Sequence, residues 1–233
     1  MPVLLVTQIG CAAIGPARMA LPPGLEAETD RVELVGLGGG TSGAFALAGH
    51  SGRFTRGESR LGVFDPLLVF NRASSSFEVG GPELERPVAA VCRMRQDSVT
   101  VGMISVDTRK MHYGCDFSAG GRPLAGYFAI TERSDSLRAR LTRTERHGEM
   151  LLDATRLEVR STSRLEGSSW PSETPIGYLI DLDGRTIAGI ELNGTRPALY
   201  LPRHAEPEAR RAVLLASLAL AVFWDPADSM LGD

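Results

Sequence analysis

Near its carboxyl end the chain reads Ala212-Val213-Leu214-Leu215-Ala216-Ser217-Leu218-Ala219-Leu220-Ala221-Val222-Phe223-Trp224. Leucine and alanine dominate this run, and both are strong helix formers. Pro207 and the glutamates on either side of it suit the first turn of a helix. Asp225-Pro226 ends the pattern, because a residue that precedes proline is pushed out of the α region. The sequence therefore predicts a helix at about 207–224.

The predicted helix has no polar face. At about 100° per residue, apolar side chains fall on every side of it. The one polar residue, Ser217, can bond back to a carbonyl one turn earlier. A helix that is apolar all round lies inside a protein or inside a bilayer. The run has 13 residues, whereas a membrane-spanning helix needs about 20. We therefore expect a buried helix and no transmembrane segment.

No other stretch of the chain can supply a second helix of this kind, so strands must surround it. Short apolar runs recur about every ten residues between 45 and 202, separated by Gly, Pro, Asp and Ser, which is typical of an all-β sandwich or barrel. Strands are expected at 32–35, 45–48, 62–64, 67–70, 88–94, 99–106, 111–117, 125–131, 137–142, 156–160, 176–182, 186–192 and 198–201. We predict one mainly β domain over residues 1–233, an antiparallel barrel around the helix. The alternative is a β-sandwich with a packed C-terminal helix.

The clearest turn signal is Asp183-Gly184, which lies between two of these predicted strands. An Asp-Gly pair tolerates the positive φ values that a type I′ turn requires, so a two-residue hairpin is predicted. The first residues, 1–11, are mostly apolar and are interpreted as a buried or edge strand.

The last part of the chain resembles the tubby-like superfamily, which groups tubby C-terminal domains, plant LURP-one-related proteins and phospholipid scramblases. The resemblance is carried by the strand and turn at 177–185, the strand at 187–192 and the helix at 211–224. Members of the family wrap a barrel of roughly twelve strands around one hydrophobic C-terminal helix, and the resemblance implies the same architecture here. The family's phosphoinositide-binding lysines have no counterpart, because Lys110 is the only lysine.

Composition sets limits on location and partners. The chain has 233 residues and a net charge of −3, so there is no global attraction to nucleic acid or anionic lipid. The three cysteines, Cys11, Cys92 and Cys115, show no spacing typical of a disulfide framework. A sparse, odd set of this kind is typical of a reducing compartment, and we therefore predict a cytoplasmic protein.

Two sequence patterns are compatible with an alternative function as an enzyme. Gly38, Gly40 and Gly43 match the G-x-G-x-x-G spacing of dinucleotide loops, but no helix can start after them, so we expect a flexible connection between strands. His112 and Cys115 form an H-x-x-C pair, which supplies two metal ligands where zinc needs three or four. A Cys-His nucleophilic pair stays open. The alternative enzyme would use a pocket near Gly36–Gly43 or at His112 and Cys115.

Arginines are concentrated in one part of the chain. Residues 133–164 contain eight arginines and five acidic residues. If the strands at 137–142 and 156–160 pair, four arginines share one exposed face, and these are Arg138, Arg140, Arg156 and Arg160. Guanidinium groups bind phosphates and carboxylates well, although a solvated face with weak ion pairs would look the same.

The first hypothesis is therefore a non-enzymatic binding module whose ligand is a lipid headgroup, a phosphate-containing small molecule or an acidic partner. No cofactor, metal or specific nucleic acid is predicted. A structural subunit of a homo-oligomer is a further alternative, and the sequence does not define the oligomeric state.

Overall fold

The computed structural model describes residues 18–63, 68–101, 104–133, 145–194 and 196–223. The strands are β1 (Thr29–Glu33), β2 (Ser42–Leu47), β3 (His50–Val63), β4 (Leu68–Gly80), β5 (Val88–Val101), β6 (Ile104–Ala119), β7 (Arg122–Arg133), β8 (Glu145–Leu152), β9 (Thr155–Thr162), β10 (Gly177–Leu182), β11 (Arg185–Glu191) and β12 (Ala198–Pro202). A short helix, α1 (Leu25–Glu28), precedes β1, and α2 (Pro207–Val222) follows β12.

All twelve strands belong to one antiparallel sheet. From β2 to β12 each strand pairs with the next one in the chain, and β1 pairs with β12. A bridge between Val35 and Ala46 then connects the residues after β1 to β2, so the sheet is nearly closed into a barrel. The predicted antiparallel barrel is confirmed, and the sandwich alternative is wrong.

The Asp183-Gly184 hairpin is confirmed as well. Both residues have positive φ values, 51° and 77°, and Leu182 pairs with Arg185 across the turn. Other strands differ from the prediction. The structure has strands at 50–61, 71–80 and 145–152, where none was predicted. The strand predicted at 137–142 and the one predicted at 1–11 lie outside the described residues.

Helix α2 runs inside the barrel, which confirms the buried-helix prediction. Every residue from Ala212 to Val222 is buried, and the helix contacts β3, β4, β8, β9, β11 and β12. Tyr113 of β6 points inward and donates a hydrogen bond of 2.9 Å to the carbonyl of Ala219. No helix within the described residues combines the length and the hydrophobicity needed to cross a membrane.

Ser217 is the polar exception within the apolar run, and it is completely buried. Its hydroxyl has no hydrogen-bond partner among the described residues, so the predicted bond to a preceding carbonyl is wrong. A Ser217→Ala variant removes an unsatisfied buried hydroxyl and introduces the best helix former. We expect its free energy of unfolding to rise by about 1 kcal/mol. Urea denaturation measures this change, and a fall of similar size would contradict the assignment of an unbonded hydroxyl.

Residues 18–28, which precede β1, cover part of the barrel's outer face. A second apolar cluster there consists of Met19, Leu25, Ile176, Leu179 and Tyr200. The buried carboxylate of Glu191 anchors this segment, because it accepts hydrogen bonds from the Met19 amide (3.3 Å) and the Tyr200 hydroxyl (3.2 Å). The outer surface of the neighbouring strands β10–β12 is thereby occupied, whereas β4–β8 present exposed side chains to solvent.

The cysteines require a correction. Cys92 of β5 and Cys115 of β6 lie directly opposite each other, and they are joined by a disulfide bond inside the core. The absence of a typical framework spacing therefore did not exclude a disulfide between these two residues, and Cys11 lies outside the described residues. Disulfides persist mainly in oxidising compartments, so the argument from cysteine content no longer supports the predicted cytoplasmic location.

Candidate functional site

Strands β5 and β6 carry basic residues on the outer face of the barrel. In β5 the buried side chains alternate with the exposed Arg93 and Arg95, and in β6 they alternate with the exposed Lys110 and His112. Because successive side chains of a strand point to opposite faces, all four lie on the same side of the sheet. Arg95 stands directly opposite His112 in the β5–β6 register. Arg95 and His112 are therefore neighbours on the outer face, where both side chains can donate hydrogen bonds.

Arg95 and His112 belong to a longer row of side chains that crosses the outer face at one level. The register of successive strand pairs aligns Arg72, Arg95, His112, Thr131, His147 and Arg160 on β4 to β9. We call this set the transverse row. Neighbouring strands lie about 4.8 Å apart, so the row is on the order of 24 Å long.

The two ends of the transverse row are neutralised by acidic residues. Arg72 contacts Asp97 at 2.5 Å between Nη1 and Oδ1, and Arg160 contacts Asp181 at 2.8 Å between Nε and Oδ2. In the middle of the row, no carboxylate within the described residues forms an ion pair with Arg95, His112 or His147. Within the transverse row, the basic side chains that lack an acidic partner among the described residues therefore lie on β5, β6 and β8.

A second row of outward-facing residues runs parallel to the transverse row, two positions further along each strand. Its two halves differ in charge. On the β8–β10 side the second row carries Glu149, Glu158 and Asp181, which are acidic. On the β5–β7 side it carries Arg93, Gly114 and Ala129. The small side chains leave a depression of about 430 Å³, lined by Arg93, Arg95, His112, Gly114, Cys115, Asp116, Tyr127, Phe128 and Ala129. We call it the β5–β7 depression.

The charge of the β5–β7 depression is positive. Asp116, the one acidic residue that lines it, lies 4.0 Å from Arg93, and both side chains are mostly exposed to solvent. An exposed ion pair at that distance contributes little, and Arg95 and Lys110 add two further cations. Glu149, which lies opposite Ala129, is already in contact with Tyr127 and Arg156. A phosphate or carboxylate group entering the depression would meet two guanidinium groups and an imidazole, which are good donors for such anions.

One wall of the depression is fixed by a polar contact outside it. Tyr127 of β7 donates a hydrogen bond from its hydroxyl to Oε1 of Glu149, and Glu149 also contacts Arg156 at 3.3 Å. This hydrogen bond to Glu149 raises the pKa of the Tyr127 hydroxyl, so the phenol stays protonated at neutral pH. The half-buried ring therefore has a fixed position beside the depression.

The arginine site predicted from the sequence differs from this one. Arg156 and Arg160 do share the outer face of β9, as predicted, because Leu157 and Val159 between them are buried. Each already has partners within the protein. Arg156 forms an ion pair with Glu149. Arg160 forms an ion pair with Asp181 and donates a hydrogen bond to the Thr186 hydroxyl. Arg138 and Arg140 lie outside the described residues, so their part in a ligand site stays a prediction.

The two places predicted for the alternative enzyme are now located. His112 and Cys115 face opposite sides of β6, since His112 is exposed while Cys115 is buried and bonded to Cys92. The prediction that these two residues could form a nucleophilic pair is therefore wrong. The glycine-rich segment connects β1 to β2, as expected, and a strand rather than a helix follows it. Its Gly38 carbonyl accepts a hydrogen bond of 2.6 Å from Nη2 of Arg56.

Within the described residues no group of three or more His, Cys, Asp or Glu side chains is placed to hold a metal ion. Comparison of the chain with protein-family models, with curated proteins and with solved structures finds no match.

Proposed function

We propose that this protein is a non-enzymatic binding module for an anionic ligand, and that the ligand binds in the β5–β7 depression. The observation that carries the proposal is the set of basic side chains around the depression, above all the Arg95 guanidinium and the His112 imidazole, which lie opposite each other without a carboxylate partner among the described residues. Exposed charges of one sign attract ligands of the other sign and raise their local concentration. A lipid headgroup, a phosphate-containing small molecule or an acidic partner fits this chemistry.

We also propose that the chain is related to the tubby-like superfamily. Two features support this relation: a nearly closed antiparallel barrel of twelve strands and an apolar C-terminal helix inside it. Architecture alone does not define function, so the binding proposal rests on the residues of the depression and not on the family.

Calorimetry with inorganic pyrophosphate at low ionic strength tests the binding proposal, because salt screens exposed charges. We expect the wild-type protein to bind pyrophosphate and Arg95→Gln to lower the affinity by at least about tenfold, since a hydrogen bond to a charged group is lost. Arg156→Gln is the matched control, because it removes an exposed arginine that already contacts Glu149. The proposal is wrong if wild type does not bind, or if both variants bind as tightly as wild type.

A further inference from the structure

The floor of the β5–β7 depression is formed by Gly114 and Ala129, which lie directly opposite each other on β6 and β7. Strands usually place β-branched or aromatic residues at such positions, and glycine weakens a strand. A glycine is explained structurally when its backbone has a positive φ or when a side chain would collide with the backbone of a neighbour. Gly114 is not among the residues with a positive φ.

Close packing does not explain Gly114 either. A Cβ atom added there would lie 3.3 Å from Cε1 of His112 and 3.6 Å from the Phe128 carbonyl oxygen. The nearer of these atoms belongs to an exposed side chain that is able to move. Other glycines of the same sheet are different, since a Cβ at Gly148 would lie 1.9 Å from the Ala129 oxygen and one at Gly126 2.2 Å from the Leu151 oxygen. Gly114 therefore keeps a side chain off the outer face beside the His112 ring, although no backbone contact requires a glycine there.

The β5–β7 depression combines three surfaces with different chemistry. The floor of Gly114 and Ala129 has at most one methyl group per residue and carries no charge. The rim carries the guanidinium groups of Arg93 and Arg95 and the imidazole of His112, and the ring of Tyr127 forms a wall that is hydrogen-bonded to Glu149. The volume of about 430 Å³ lies within the usual range of small-molecule sites, roughly 300–1,000 Å³.

We infer that the β5–β7 depression binds a soluble phosphate monoester with a planar, uncharged body. The phosphate lies between Arg95 and His112 with Arg93 beside it, and the body covers the Gly114–Ala129 floor next to the Tyr127 ring. This inference rests on the proposed anion-binding function and adds the class of ligand. A flat membrane surface would use the rim cations without entering the floor, so the floor distinguishes the two sources of phosphate.

Calorimetry with three soluble probes tests the inference: inorganic phosphate, adenosine and adenosine monophosphate. We expect adenosine monophosphate to bind at least about tenfold more tightly than either of the others, because it alone uses both the rim and the floor. Ala129→Leu fills the floor and leaves every charge in place. It is expected to lower the affinity for adenosine monophosphate by about tenfold and to leave the affinity for inorganic phosphate unchanged. Circular dichroism of Ala129→Leu checks that the barrel remains folded.

A second arm uses mixed phosphatidylcholine–phosphatidylglycerol vesicles in a sedimentation assay. Binding to vesicles that is unchanged in Ala129→Leu, without tighter binding of adenosine monophosphate than of inorganic phosphate, would overturn the inference in favour of a membrane surface. Equal affinity of wild type and Ala129→Leu for adenosine monophosphate would also overturn it. In both cases the loss of pyrophosphate binding in Arg95→Gln would leave the anion-binding proposal intact. If no anion binds to wild type, both proposals fail.

Discussion

Replacing Leu218 by aspartate is expected to abolish cooperative folding of the barrel. Leu218 lies in the middle of α2 and is completely buried, with β-strands around the helix. An unpaired carboxylate in such a place costs several kcal/mol even after the protein relaxes. The whole stability of a typical domain is about 5–15 kcal/mol. Circular dichroism and urea denaturation of Leu218→Asp should show no cooperative unfolding transition.

Two companion variants make this result specific. Leu218→Ala keeps the helix propensity and leaves a cavity, so the free energy of unfolding should fall by about 2–5 kcal/mol. Glu208→Ala changes an exposed residue in the first turn of the same helix and should stay within about 0.5 kcal/mol of wild type. A Leu218→Asp protein that unfolds cooperatively near the wild-type urea midpoint would show that the helix is not enclosed by the barrel.

The helix was predicted correctly from the sequence, because its signals lie within the helical segment itself and do not depend on contacts with distant residues. A run without a polar face and too short for a bilayer leaves only the interior of a protein. Helix α2 begins at Pro207 as predicted, and it ends at Val222, before the proline signal at 225–226. The Asp183-Gly184 turn could be predicted in the same way, since its positive φ values depend only on the two residues of the turn.

The strands that were missed carry polar residues on their inward face, so the alternation of apolar and polar residues was hidden. In β3 the residues Arg56 and Glu58 occupy the same face as the buried Phe54, and in β4 the buried residues include Asn71 and Ser75. Periodicity identifies a strand only when one face is apolar. The part of the barrel wall near these residues could therefore not be recognised from the sequence.

The candidate site was missed for a different reason. The register between two strands depends on residues that are far apart in the chain, so local sequence patterns do not reveal it. The predicted strands at 88–94 and 111–117 already placed Arg93 and His112 opposite the apolar face. Only the pairing of β5 with β6 places Arg95 beside His112 and Cys92 beside Cys115. A shift of one residue in that pairing would separate both pairs. The arginine count of residues 133–164 instead directed attention to Arg156 and Arg160.

Strand β8 provides the second large effect, because Gly148→Ala is expected to lower the free energy of unfolding by about 2–4 kcal/mol. A Cβ at Gly148 would lie 1.9 Å from the Ala129 carbonyl oxygen and 2.7 Å from Cα of Ile130. Both atoms belong to the backbone of β7, so no side chain can move aside and the strands must separate. Urea denaturation measures the loss of stability.

The matched control is Gly114→Ala on β6, where the nearest atom to a new Cβ is 3.3 Å away on the exposed His112 side chain. We expect this variant to lose less than about 1 kcal/mol, and equal losses in the two variants would contradict the proposed difference. The two glycines also differ in what they do for the site. Gly148 lets β8 approach the backbone of Ala129, whose side chain forms the floor of the depression, whereas Gly114 is part of the floor itself. Gly148→Ala should therefore reduce stability first and ligand binding as a consequence, while Gly114→Ala should reduce ligand binding in a protein of nearly normal stability.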